Sequence, residues 1–379
     1  MGTHPSGPST AVFSDGKEML LSDWIRKHPD QLGDKVKAEF DGQLPFLFKV
    51  LSVNTSLSIQ THPNKVQAEA LHKARPDLYK DANHKPELAI ALTPFQGLCG
   101  FRPIKQVANF LETIPELRAA VGNEYTLKLI AASRTMDMPF HREAMKECFN
   151  SLMNQDQDAV KEELGKLVGK VQQIEEDKGD TSPFVGDILL KLHREFPGDI
   201  GCFVAYFLNL MKLQPGQAMF LEANLPHAYL SGNCMECMAC SDNVIRAGLT
   251  SKYIDKVTLV KMLNYTGQPA TRNLFKPRKD KHDPCVELYE PGVKDFCVSK
   301  VQLSHSVSNY TLCSLDSASI CIVTQGEGEA KNDSLPKPIS LQRGVVFFVS
   351  AEEKVIIVNK GDMIIFRAYC NLATRYLVC

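Results

Sequence analysis

Residues 44–56, "LPFLFKVLSVNTS", run almost unbroken in apolar and β-branched side chains, with Lys49 the one charge inside the run. Such a run reads as a β-strand. "HKPELAIALTPFQGLCGF" continues in the same style, its Gly and Pro residues marking turns. From about 105 to 200 the apolar positions move to helical spacing. Val107, Phe110, Leu111 and Ile114 form one stripe, and Val160, Leu164, Leu167, Val168 and Val171 form another. Polar connections such as "NQDQD" and "EEDKGDTS" separate the helices. Strand texture returns at "GCFVAYFLNLMKLQPGQAMFLEANLPHAYL", although "CFVAYFLNLM" alone also fits a buried helix. The final hundred or so residues carry short alternating runs, "SICIVTQGEGEA", "GVVFFVS" and "KVIIVNKGDMIIFRA", bounded by Gly, Asp or Asn. Many short, punctuated strands predict a sandwich or jelly roll. The expected fold is mainly β, interrupted by an inserted α-helical domain.

Composition narrows the class of protein. The chain has 379 residues, 44% hydrophobic and 23% charged, as in ordinary globular domains. A net charge of −1 creates no field that would draw nucleic acid or an anionic membrane. No stretch approaches the ~18 continuous apolar residues of a membrane span, and "MGTHPSGPST" lacks the pattern of a secretion signal. The twelve cysteines are therefore expected as thiols in a cytosolic chain. Cys234, Cys237 and Cys240 have a spacing that also occurs among iron–sulfur ligands. The next cysteine, Cys285, is far away, which favours small buried thiols.

Candidate chemistry begins at "LSIQTHPNKV". On a strand Gln60 and His62 share a face, with Ser58 beside them. A lone histidine such as His227 in "LPHAYL" is ordinarily a satisfied core or edge residue. Glu87 changes the picture, because a carboxylate opening so apolar a strand is costly without a cation. Together Gln60, His62, Glu87 and His227 would form a mixed nitrogen and oxygen site for a divalent metal, zinc by default.

The segments "FLFKVLSVNTSLSIQTHPNK", "DANHKPELAIALTPFQGLCGFRP", "FLEANLPHAYL" and "ECMACSDNVIRAGLTSKYID" together resemble type I mannose-6-phosphate isomerase, a zinc-dependent family of cupin fold. The resemblance implies one zinc held by Gln60, His62, Glu87 and His227, and an active-site arginine at Arg246. It divides the chain into a catalytic cupin domain over 1–103 and 201–268, a helical insertion over 104–200 and a C-terminal cupin-like domain over 269–379. The implied reaction interconverts mannose 6-phosphate and fructose 6-phosphate through an enediol, supplying mannose phosphates for GDP-mannose and glycosylation. The implied partner is a small sugar phosphate, with no nucleic acid or membrane, and the implied state is a monomer.

Lys85 lies two residues before Glu87, so both face one way on an extended chain. It is a candidate base, or simply an ion-pair partner of Glu87; a zinc-bound hydroxide, Glu236 or Asp242 could move the proton instead, and the two acids could also contact substrate. Lys49, Ser58 and Lys252 are candidates to hold phosphate or sugar hydroxyls. His84, on the opposite face from Lys85, reads as structural. Family members carry several tens of residues before the "MGTHP" point, so the reading expects a shortened member with an exposed sheet edge. Ser251 replaces a family proline, loosening a turn, and "YCNLATRYLVC" runs past the implied end. Two other classes fit parts of the pattern: an iron cupin oxygenase, from two histidines and one carboxylate, and a non-catalytic product of the same family.

Overall fold

A computed structural model describes residues 1–372 and the backbone of 375–376. Most of the C-terminal stretch beyond Leu372 lies outside the described residues.

Eight strands build the unit that carries the candidate residues: β1 (Phe46–Val53), β2 (Ile59–Thr61), β3 (Glu87–Ala91), β4 (Phe95–Phe101), β5 (Leu208–Leu213), β6 (Ala218–Leu221), β7 (His227–Ala239) and β8 (Ile245–Gly248). All their pairings are antiparallel. β7 is long enough to belong to two layers. Its first half lies between β2 and β4, with His227 opposite Gln60 and Cys99. Its second half lies between β1 and β3, with Glu236 opposite Lys49 and Ala89. The switch falls at Gly232, whose φ of +102° is glycine territory. A Cβ there would also lie 2.4 Å from the Pro94 carbonyl oxygen.

Alternation along these strands makes three packed faces. Ala89, Ala91, Phe95, Cys99, Met211, Met219 and Tyr229 point between the two layers. Phe46, Phe48, Leu88, Ile90 and Met235 point outward and pack on Phe296, Val298, Ile320 and Phe366 of the C-terminal unit. Ile59, Leu98, Ala228, Leu230 and Ile245 point outward from the other layer onto helices. Those helices fill the chain between β4 and β5, from Ile104–Thr113 to Gly201–Val204. Both sequence stripes are inside: Val107, Leu111, Ile114, Val160, Leu164, Leu167, Val168 and Val171 are buried. The ambiguous "CFVAYFLNLM" resolves both ways, as a one-turn helix ending at Val204 followed by β5 from Leu208.

The insertion is tied back to the strands at Asp199. Its carboxylate accepts hydrogen bonds from the backbone amides of Gly201 and Leu249, each at 2.6 Å, and of Thr250 at 3.1 Å. Leu249 has φ of +52°, a conformation that costs a bulky residue free energy and is held here by these bonds. The C-terminal unit is a six-stranded and a four-stranded sheet closed on an apolar interior that includes Val301, Leu303, Val323, Ile357 and Ile365. The architecture is thus mainly β, in two jelly-roll-like units, with a helical insertion.

Candidate metal centre

The "HPNK" that ends the apolar run is a strand-to-helix junction. Asn64 caps the helix Lys65–Ala74 by accepting from the Gln67 amide, while the Gln67 side chain accepts from the Asn64 amide, each at 2.9 Å. This reciprocal cap fixes where β2 stops and leaves His62 at its mouth. In the sheet, Gln60 stands between His227 on β7 and Arg246 on β8, so all three side chains share one face. Glu87, the first residue of β3, comes from the facing layer.

His62, Glu87 and His227 converge there. Each offers one ligand atom, and the three atoms lie within 4.8 Å of one another. His62 Nε2 is 3.3 Å from Glu87 Oε1, and His227 Nε2 is 3.6 Å from Glu87 Oε2. Both rings are fully buried and Glu87 is 2% exposed. The other nitrogen of each ring is committed: His62 Nδ1 lies 2.7 Å from the Asn243 carbonyl oxygen and His227 Nδ1 lies 2.9 Å from that of Leu225. A carbonyl only accepts, so the network places the ring hydrogens on Nδ1 and leaves both Nε2 atoms as lone pairs in the neutral rings. Burial pushes the His62 imidazole down to about 4, so it is neutral near pH 7. Burial alone would raise the Glu87 carboxyl, but the imidazoles and Lys85 outweigh it and hold the group well below its usual range. Two lone pairs and a carboxylate face each other, and His62 Nε2, His227 Nε2 and Glu87 Oε2 have no hydrogen-bond partner. Such an arrangement is costly unless a cation sits among the atoms. Two imidazoles, a carboxylate and an adjacent amide suit zinc.

Cationic side chains surround this group. Lys85 Nζ is 3.5 Å from Glu87 Oε1 with its side chain only 12% exposed, as the two-residue spacing predicts. Lys49 Nζ donates to Glu236 Oε2 at 2.9 Å and to the Met238 sulfur at 3.0 Å. Glu236 Oε1 accepts from Tyr229 Oη, also at 2.9 Å. Burial opposes the Lys49 charge, but the Glu236 carboxylate outweighs it and holds the ammonium above its usual range. Burial also lowers the Arg246 guanidinium, which stays cationic.

Residues 1–104, 121–208 and 287–333 match, respectively, the catalytic domain, the helical insertion domain and the C-terminal region of phosphomannose isomerase type I. The mannose-6-phosphate isomerases of Macaca fascicularis and Mus musculus are each 49% identical, across 98% of this chain and 88% of their own length. That of Schizosaccharomyces pombe is 40% identical, across 98% and 89%. The chain belongs to the type I phosphomannose isomerase family. Among solved structures, a variant of phosphomannose isomerase from Salmonella typhimurium superposes with a TM-score of 0.83 at 31% identity, covering 98% of this chain and 90% of that one. A zinc-bound mannose 6-phosphate isomerase gives the same four values.

Within this type I phosphomannose isomerase fold, the remaining sequence candidates have the following surroundings. Ser58 is partly exposed on the approach to β2. Lys252 is exposed on the loop after β8, where its amide donates to Thr250 Oγ1. Asp242 is exposed, within 3.5 Å of His4 Nε2 and 3.3 Å of Ser6 Oγ. His84 points away to the C-terminal unit, its Nε2 3.0 and 3.1 Å from the Asp295 carboxylate oxygens. Cys234 and Cys237 are buried thiols on β7. The sequence reading missed Tyr229, although alternation from His227 places it on the same face. It also missed Asp81 and Asn243, whose only signal is a richness in Asx residues at "DAN" and "SDN".

Proposed function

We propose that this chain interconverts mannose 6-phosphate and fructose 6-phosphate. The observation that carries the reading is the convergence of three buried, unpartnered ligand atoms beside Lys85 and Arg246 within the framework of this family. His62, Glu87 and His227, with Gln60 beside them, would hold zinc. When bound, zinc supplies a Lewis acid that polarises the sugar carbonyl and offsets negative charge as the proton leaves the adjacent carbon.

The chain's own groups divide the remaining work. In its neutral amine form, Lys85 Nζ takes the proton from carbon 2 of the opened aldose and returns it to carbon 1, from a side chain only 12% exposed. Arg246 faces the developing oxyanion charge and helps align the sugar. Lys49, Ser58 and Lys252 bind the phosphate and sugar hydroxyls, Glu236 orients Lys49, and Asp242 contacts the ring at the exposed side. His62 and His227, held by backbone carbonyls, keep the carbonyl end in register with Lys85. Family membership weighs against the iron oxygenase reading. The domain division at 104, 201 and 269 and a monomeric state belong to the same proposal. Free, buried thiols at Cys99, Cys148, Cys202, Cys234 and Cys237 support a reducing, cytosolic setting. Among the described residues no helix is long and apolar enough to cross a membrane.

The test is turnover of mannose 6-phosphate by the purified chain, with chelation, zinc add-back and Gln60→Ala. Turnover lost on chelation, restored by zinc and abolished by Gln60→Ala is the expected pattern. Turnover insensitive to chelation would overturn the site assignment.

A further inference from the structure

The segment that leads into Glu87, 81–87, and the turn whose carbonyl holds His62, 241–243, are laced together at one carboxylate. Asp81 Oδ1 accepts from Ser241 Oγ at 2.8 Å, from the Asn83 amide at 2.9 Å and from Asn243 Nδ2 at 3.2 Å. Asp81 Oδ2 accepts from the Asp242 amide at 2.7 Å. Asn243 Nδ2 also donates to the carbonyls of Asp81 and Asn83, at 2.7 and 2.9 Å. Asn83 Nδ2 returns a bond to the Cys240 carbonyl at 2.9 Å. Ser241 and Asn243 are buried. The far end of this lattice is the Asn243 carbonyl, which holds His62 Nδ1 at 2.7 Å.

We infer that Asp81 is a positioning residue for the metal centre. It acts in two directions. Through the 241–243 turn it fixes the carbonyl that sets the tautomer and ring angle of His62. Through Asn83 it fixes the start of the segment that delivers Lys85 and Glu87. Only a carboxylate suits the position, because four donors converge on its two oxygens. An asparagine would turn its own amide hydrogens either on the Asp242 amide or on the Ser241, Asn83 and Asn243 donors. Partners that orient a ligating histidine typically govern metal affinity by ten- to a hundredfold. The inference rests on His62 being a ligand, as proposed above.

The test measures zinc affinity of the full chain by competition with a chromophoric chelator, together with the visible spectrum of the cobalt(II)-loaded chain. Asp81→Asn is expected to weaken zinc binding by about ten- to a hundredfold and to shift the cobalt bands, while the metal-free chain still melts cooperatively. Zinc affinity within about twofold of wild type, with unchanged cobalt bands, overturns the inference. His62→Ala separates the two readings. If it abolishes tight zinc binding while Asp81→Asn does not weaken it, only the role of Asp81 fails; if His62→Ala leaves zinc binding intact, the ligand assignment fails. Should Asp81→Asn not fold, Ser241→Ala carries the test: it leaves the carboxylate but removes a donor to it and the acceptor of the Asn243 amide at 3.1 Å, loosening the same 241–243 turn. A several-fold loss of zinc affinity then supports the inference, and an unchanged affinity overturns it.

Discussion

Lys49 and Glu236 form an ion pair whose two halves differ in burial, and that difference predicts unequal costs of breaking it. The Glu236 side chain is 6% exposed, the Lys49 side chain 34%. Lys49→Met would leave a carboxylate sealed between the layers with one remaining donor, Tyr229 Oη. Breaking a buried pair from one side costs about 3–5 kcal/mol. Retention of the tyrosine bond, and water entering through the opening that Lys49 vacates, place this case near the lower bound, about 3 kcal/mol. Glu236→Gln keeps an oxygen for Tyr229 and leaves an ammonium that solvent can reach, so the loss is that of a single charged hydrogen bond, about 1–2 kcal/mol. In the double variant no charge is left stranded, so it should be more stable than Lys49→Met alone, with a coupling energy of about 2 kcal/mol. Urea unfolding of the zinc-saturated chain, followed by far-ultraviolet circular dichroism, reads all three. If Lys49→Met and Glu236→Gln each cost less than about 1 kcal/mol, the pair behaves as a solvated surface bridge and the reasoning from burial is wrong. Equal costs, or a larger cost for Glu236→Gln, would refute it as well.

Two further outcomes test the centre and its frame. In the metal-free chain the His62 imidazole is pushed down from 6.5 to about 4, so as pH falls the unfolded chain takes up the proton first. Stability from this group is complete above about pH 6.5 and is lost as pH falls toward 4. Chelated protein should therefore lose about 2 kcal/mol between pH 7 and 5, measured from urea midpoints; an equal slope in His62→Gln would sink this account. Gly232→Ala should cost at least about 2–3 kcal/mol, because it adds a side chain at φ of +102° against the Pro94 carbonyl. Gly169→Ala, in the helix Gln157–Glu176 with nothing within 4 Å of the new Cβ, should instead stabilise by about 0.5–1 kcal/mol. Melting temperatures that move in the same direction for both would contradict the conformational argument.

What could be read from the sequence was whatever a local rule governs. Period-two alternation puts Gln60 and His62 on one face and Lys85 with Glu87 on another, and the structure keeps both relations. Helical spacing found the insertion, because each stripe buries its own face. "CFVAYFLNLM" stayed ambiguous because a buried helix and a buried strand have the same composition, and the chain uses one turn of the first before entering the second. The supporting shell was beyond local rules altogether. Asp81 meets Asn243 across 162 residues and Lys49 meets Glu236 across 187. Antiparallel registers that span the whole helical insertion create those meetings, and no window of the sequence contains both partners.

The same topology shows why the metal group is tied to its surroundings through backbone groups. Its proposed ligands come from three segments widely separated along the chain, so beyond the Gln60 and His62 pair none can place another through short-range geometry. Each histidine instead leans on a carbonyl: His62 on that of Asn243, His227 on that of Leu225 two residues before it. The His227 contact is local and forms wherever β7 begins. The His62 contact exists only if the 241–243 turn has already closed on Asp81. The two ligands should therefore respond differently to damage at a distance, with His62 the one that loosens first. That asymmetry is why a carboxylate which touches no ligand is expected to govern zinc affinity.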